Sequence, residues 1–181
     1  MKRVTLEIAV LSFLAAIPTA LGYILGPLTR TVDRVTSLIG LPLSPRLGLL
    51  PLATVTVLAR AYLGRGGGVK EGVLLAATGA FFHPRDLSLR LPRNILLGVG
   101  IELALLKVEK PGAPECILAS LIGGIFSYTP YLLFAPSEMF SATVFLASII
   151  ISTVNYLLAI VIGGYFAALV LERWEVLPGL R

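Results

Sequence analysis

Residues 140–171 read FSATVFLASIIISTVNYLLAIVIGGYFAALVL, and this stretch contains no Asp, Glu, Lys or Arg. Inside hydrocarbon, a chain segment must pair its own backbone N–H and C=O groups, and a helix of about 20 residues does so while crossing the bilayer. A straight helix over this stretch would measure about 48 Å, against a hydrocarbon core of roughly 30 Å. The stretch therefore predicts membrane-spanning structure, as one long helix or as two.

Five further apolar blocks precede this one, separated by short connections rich in glycine and proline. The chain is 56% hydrophobic and 14% charged, whereas soluble domains carry about 25% charge. The blocks do not alternate apolar and polar residues as the strands of a β-barrel would. We predict one all-α transmembrane domain, residues 1–181, a polytopic integral membrane bundle of about six transmembrane helices. The predicted spans are approximately 4–28, 47–63, 69–83, 91–108, 114–135 and 140–172.

The net charge of +5 comes from basic residues that lie mostly in the connections. Lipid headgroups and membrane topology explain such residues before nucleic acid does. If both termini are cytoplasmic, nine of the 15 basic residues lie inside, which favours this orientation for a multi-pass protein of the cell membrane. The outer cluster could hold an anionic solute or contact lipid phosphates. Its members are Arg30, Arg34, Arg46, Arg85, Arg90 and Arg93.

Enzyme and metal-site signatures are missing from the sequence. It contains no GxSxG, HExxH, CxxC or GxxxxGK[ST] motif, and His83 and Cys116 are its single histidine and single cysteine. We therefore expect no catalytic activity, no metal and no cofactor.

Several polar side chains fall inside the predicted spans, where charge is costly and usually faces a partner or a cavity. Glu102 could pair with Arg60, bind a cation or contact a substrate. Asn155 could form an interhelical hydrogen bond or contact a solute. Tyr128 and Tyr131 lie near the outer end of the fifth predicted span, where they could line a solute pocket or form an interfacial aromatic belt.

Small residues recur at helical spacing on the first and last predicted helices. Ser12, Ala16 and Ala20 are four residues apart, and a similar stripe on the last helix contains Gly163. Such stripes let another helix approach closely. The second helix could belong to this chain or to a partner membrane protein.

Two stretches carry a family resemblance. Residues 16–20, AIPTA, are similar to the AxxxA pattern through which one family of membrane subunits meets its coupling subunit. Residues 155–166, NYLLAIVIGGYF, followed by Glu172 and Arg173, are similar to that family's glycine-containing final helix and charged tail. On these residues, its length and its six predicted spans, the chain resembles the substrate-binding S component of energy-coupling factor (ECF) transporters.

The resemblance implies capture of a vitamin-like micronutrient at the outer face, by the loop after the first helix and the outer parts of helices four to six. It also implies two kinds of partner, a coupling transmembrane subunit and cytoplasmic ATPases that power uptake. In this chain those outer regions hold Arg30, Arg34, Asn94, Tyr128 and Tyr131.

Two other functions stay open at this point. An oligomeric channel or small secondary transporter would use Glu102 as an ion or proton site. A membrane enzyme acting on lipid-linked substrates would use the outer arginines to hold phosphate.

Overall fold

The computed structural model describes residues 2–38, 49–82, 87–134 and 143–175. These residues contain no β-strand and form six α-helices, so the all-α prediction is confirmed. Each helix covers one apolar block of the sequence, and the sixth block forms a single helix over its described length. Helix α1 continues to Leu38, ten residues beyond the predicted span 4–28, so Arg30 and Arg34 lie in a helix and not in the loop predicted after it. The helices are α1 Lys2–Leu38, α2 Leu49–Leu63, α3 Gly67–Phe82, α4 Leu87–Ala104, α5 Ala113–Phe134 and α6 Thr143–Glu175.

Contacts between helix ends define the two ends of the bundle. Lys70 at the start of α3 pairs with Glu7 near the start of α1, so these two ends lie together. The turn from α2 to α3 passes through Gly64 and Gly66, whose φ angles of 74° and 87° favour glycine. We call the end that contains this turn the proximal end and the opposite end the distal end.

Helix α2 is the centre of the bundle, because within the described ranges it contacts each of the other five helices. Most of its residues are buried, among them Val55, Val57 and Ala59. Helix α1, in contrast, contacts α2 and α3 but none of the other described helices. The bundle therefore consists of five closely associated helices and one peripheral helix.

Glycines allow the backbones of the inner helices to touch. A Cβ added at Gly98 of α4 would collide with the carbonyl of Gly68 in α3. A Cβ at Gly163 of α6 would lie 2.5 Å from the carbonyl oxygen of Leu50 in α2. Small residues permit this close approach, which is typical of helix packing in membranes.

The outward-facing surface is strongly apolar. Phe13, Ile24, Phe81 and Leu133 are among many large apolar side chains that are mostly exposed, and large exposed apolar surfaces mark contacts with partners or with a membrane. Two helical stretches, Val4–Leu28 and Thr153–Arg173, are long and apolar enough to cross a membrane.

Candidate functional site

Polar groups inside this apolar bundle identify the candidate site. A buried polar group without a hydrogen bond is costly, so each one indicates either an internal partner or a function. Among the described residues, the buried polar and charged side chains are Thr56, Arg60, Glu71, Asn94, Ser120 and Ser127.

The proximal end contains an ion-pair cluster built around Arg60. This side chain is 3% exposed, and its Nε lies 2.9 Å from Oε2 of Glu102, which is 14% exposed. The Nε–H is not aligned for a hydrogen bond to that oxygen, so the contact is an ion pair. Arg60 Nη2 also donates to the carbonyl oxygen of Leu105 at 2.7 Å. The backbone N–H of Gly68 donates to Glu102 Oε1 at 3.0 Å. The cluster joins α2 and the start of α3 to the end of α4.

Pairing with Arg60 is one of the three roles predicted for Glu102, and the structure contains this pair. Asn94 lies eight positions earlier on α4, which corresponds to about 12 Å along the helix axis. The structure therefore places Glu102 at the proximal end, apart from the predicted solute-binding residues of the distal end.

A second polar network joins α5 and α6 toward the distal end. Thr153 Oγ1 donates to the hydroxyl oxygen of Tyr128 at 2.8 Å. The hydroxyls of Ser127 and Tyr156 share a hydrogen bond of 2.6 Å. The Tyr128 and Tyr156 rings are 5.1 Å apart, centroid to centroid, and inclined by 57°, a favourable tilted aromatic pair. Asn155 is half-buried next to this network. Tyr128 thus has interhelical contacts, and a solute contact for it or for Asn155 stays a prediction.

The distal half of α4 carries an Arg–Asn contact. Arg93 donates from Nε and Nη2 to Oδ1 of Asn94, at 3.0 and 2.9 Å. Asn94 is buried, whereas Arg93 and Arg90 are half-buried on the same helix and Arg34 is exposed on α1.

Four other predicted residues fall wholly or partly outside the described part of the chain. The structure describes the backbone of Arg30 and Tyr131 as helical, but their side chains lie outside the described residues, as do all atoms of Arg46 and Arg85. The predicted solute-binding role of Arg30 and Tyr131 is therefore still a prediction.

The small-residue stripe of α1 lines an open groove. Ser12, Ala16 and Ala20 are exposed and face Leu74 and Thr78 of α3 across a cavity of about 380 Å³. Within the described part of the chain this groove is open at the surface, and its use as a partner interface stays a prediction.

Gly163, which we predicted to belong to the same kind of interface, has a different environment. It is buried against α2, and its carbonyl oxygen accepts a hydrogen bond from Thr54 Oγ1 at 2.9 Å. The structure thus places Gly163 in packing within the chain, where a partner would have to displace α2 to reach it.

Sequence reasoning did not single out Glu71 of α3. Its side chain is fully buried, and neither carboxyl oxygen has a hydrogen-bond partner in the described part of the chain. The signal that could have found it is helical spacing. Glu71, Leu75 and Thr78 recur at i, i+4 and i+7, which is typical of the inward face of a helix.

The described residues contain no group of three or more His, Cys, Asp or Glu side chains placed to hold a metal ion. The sites that remain are the proximal ion-pair cluster, the distal polar network, the α1–α3 groove and the buried carboxyl of Glu71. Comparisons of the chain with protein families, with curated proteins and with solved structures find no match.

Proposed function

We propose that this chain is a six-span integral membrane protein of the cell membrane, with both termini cytoplasmic, that acts as the solute-binding S component of an ECF-type importer. The observation that carries the proposal is the open groove on α1. It presents Ser12, Ala16 and Ala20 on a helix that touches two neighbours within the described ranges.

The apolar exterior supports membrane embedding of the whole bundle. Large apolar side chains are exposed on α2, α3, α4 and α5 as well as on the two long apolar helices α1 and α6. Examples are Val73 on α3 and Leu118 on α5. Helix α2 has only 15 residues, about 22 Å of helix. Its neighbours surround it, so it does not need to match the bilayer thickness by itself.

The distal end supports capture of a solute that carries a negative group. Arg90 and Arg93 bring guanidinium groups to the distal half of α4, on which Asn94 is buried, and Arg34 is exposed near the distal end of α1. Guanidinium groups bind carboxylates and phosphates through paired, charge-assisted hydrogen bonds. On α5, the distal polar network adds the hydroxyl of Tyr128, which accepts a hydrogen bond from Thr153. A vitamin-like micronutrient with a carboxylate or phosphate fits this chemistry.

Power for uptake would come from partners, because the sequence has no GxxxxGK[ST] motif for ATP. A coupling transmembrane subunit would place a helix in the α1–α3 groove, where alanine side chains allow close approach. The alternative of a channel or secondary transporter relied on Glu102 as an ion site. Since Arg60 and the Gly68 amide already contact that carboxylate, we do not favour it.

Purification of the protein from its native membranes tests both halves of the proposal. Mass spectrometry of the gently detergent-solubilised protein should detect one retained anionic small molecule. The same preparation should contain a coupling subunit and ATPases. Finding neither, in a folded preparation, would refute the proposal.

A matched pair of variants tests the groove itself. Ala16→Leu fills the groove and should abolish co-purification of the coupling subunit while the retained solute stays bound. Ala77→Leu is the control, because Ala77 is exposed on α3 outside the groove, and it should keep the partner. Equal partner retention by the two variants would show that the groove is not the interface.

A further inference from the structure

Glu71 is the least explained polar residue of the bundle. It lies in the second turn of α3, its side chain has no exposed surface, and both of its carboxyl oxygens lack a hydrogen-bond partner among the described residues. An ionised carboxylate in this position would lose its hydration and gain no compensating contact, which is among the costliest arrangements a folded chain can adopt. The group must therefore be neutral or be balanced by a bound ligand.

The packing around Glu71 leaves little space for a ligand with volume. The next residue, Gly72, is so close to α4 that an added Cβ would lie 2.6 Å from the carbonyl oxygen of Asn94. One turn earlier, a Cβ on Gly68 would lie 3.3 Å from the carbonyl oxygen of Gly98. The open groove between α1 and α3 is lined by Leu74 and Thr78, and Glu71 does not line it. Both carboxyl oxygens of Glu71 are inaccessible to a water-sized probe in the described part of the chain, so a hydrated cation or an ammonium group has no space beside them, whereas a proton needs none.

Four charged groups on the helices packed against α3 have partners other than Glu71. Glu7 of α1 pairs with Lys70, and Arg60 of α2 pairs with Glu102 of α4. Arg93 of α4 donates to the side chain of Asn94. The other ionisable residues of these three helices lie toward helix ends or, for Tyr23, beside the groove. They are Lys2, Arg3, Tyr23, Arg30, Asp33, Arg34, Tyr62 and Arg90.

We propose that Glu71 is a proton-binding site of the bundle. The closed packing of α3 against α1, α2 and α4 holds its side chain as a neutral carboxylic acid, and the proton leaves only when α3 separates from these helices. The site couples protonation to helix movement, whatever solute the protein binds. The proton-binding site does not depend on solute capture or on the partner interface. The proposed function can therefore fail while the proton-binding site stands, and the reverse.

Infrared spectroscopy of the purified protein in detergent tests the proposal, because a neutral carboxylic acid has a C=O band apart from those of carboxylates and amides. At neutral pH the wild-type protein should show this band, and it should shift in D2O. Glu71→Gln, which is close in shape to the neutral acid, should fold and lose the band completely. Glu102→Gln is the control and should keep it.

A wild-type spectrum without the band, or a band that persists in Glu71→Gln, would overturn the proposal. If Glu71→Gln does not fold, Glu71→Asp serves in its place and should move the band. An unmoved band in that variant would overturn the assignment.

Hydrogen exchange tests the link to helix packing. Gly72→Ala pushes α3 away from α4, so the Glu71 band should exchange in D2O at least tenfold faster, or disappear as the group ionises. Gly79→Ala is the control on the same helix, since its Cβ would meet one atom, Asn94 Nδ2, at 3.9 Å. Equal exchange rates in these two variants would show that packing of α3 does not hold the proton.

Discussion

Replacing Glu102 by Gln tests how much the proximal cluster stabilises the fold. The substitution keeps the size of the side chain and an oxygen that can accept the Gly68 N–H, but it removes the charge that balances Arg60. The guanidinium group is 3% exposed, so water cannot replace the lost partner. Its hydrogen bond to the Leu105 carbonyl, at 2.7 Å, remains.

The expected loss of stability is about 3 kcal/mol, the lower end of the range for removing one partner of a buried ion pair. The lower end applies because Glu102 is 14% exposed and Arg60 keeps its backbone acceptor. For a chain of this length, such a loss lowers the midpoint of thermal unfolding by about 6 to 12 °C. The matched control is Glu7→Gln, which breaks the pair with Lys70. Those side chains are 27% and 54% exposed, so the cost should be below about 1 kcal/mol.

The lone cysteine provides the assay. Cys116 is the single cysteine of the sequence and is fully buried, so a thiol-reactive dye labels it when the bundle unfolds. Heating the purified protein with the dye gives a midpoint for each variant. Equal midpoints for Glu102→Gln and Glu7→Gln would refute the reasoning. The double variant Arg60→Met/Glu102→Leu should recover most of the loss, because an apolar pair of similar volume leaves no uncompensated charge.

Two further predictions use the same thermal assay. Gly98→Ala should destabilise the fold by about 1 to 3 kcal/mol, because its Cβ collides with the backbone of α3. Gly22→Ala is the control: its Cβ meets no atom within 4 Å, so it should stabilise the fold by up to about 1 kcal/mol. A similar loss of stability in both variants would contradict the close α3–α4 contact. Tyr156→Phe should cost about 1 kcal/mol through loss of its hydrogen bond to Ser127, while Tyr165→Phe, on an exposed face of α6, should cost nothing measurable.

The helices could be predicted from the sequence because long apolar runs leave the backbone few alternatives. Residues 140–172 were predicted as a span, and α6 occupies Thr143–Glu175. Whether this block is one helix or two could not be predicted, since a 33-residue helix exceeds the bilayer thickness and its neighbours decide whether it stays continuous.

The polar contacts could be predicted only in part. The sequence indicated Arg60 as one possible partner for Glu102, and the two side chains do form an ion pair. They are 42 positions apart in the chain, so only the packing of the helices determines whether they meet. Gly163 has the same spacing signal as Ala16, yet one residue is buried against α2 and the other is exposed. Spacing shows that a helix has a small-residue face, but it does not show which neighbour covers that face. Helical spacing with Leu75 and Thr78 could have placed Glu71 on an inward face, but which helices enclose its carboxyl depends on how α2 and α4 pack against α3.

The position of α1 links the groove to the buried carboxyl. Glycines at the α3–α4 and α2–α6 interfaces bring backbones into contact, whereas Gly22 and Gly26 of α1 have no atom within 4 Å of an added Cβ. Helix α1 can therefore move with less disruption than any of the other five. Since α1 packs on α3, a partner helix that displaces it would loosen one side of the packing that encloses Glu71. Partner binding in the groove should then speed hydrogen exchange at Glu71, and an unchanged rate in the assembled complex would show that the two sites act separately.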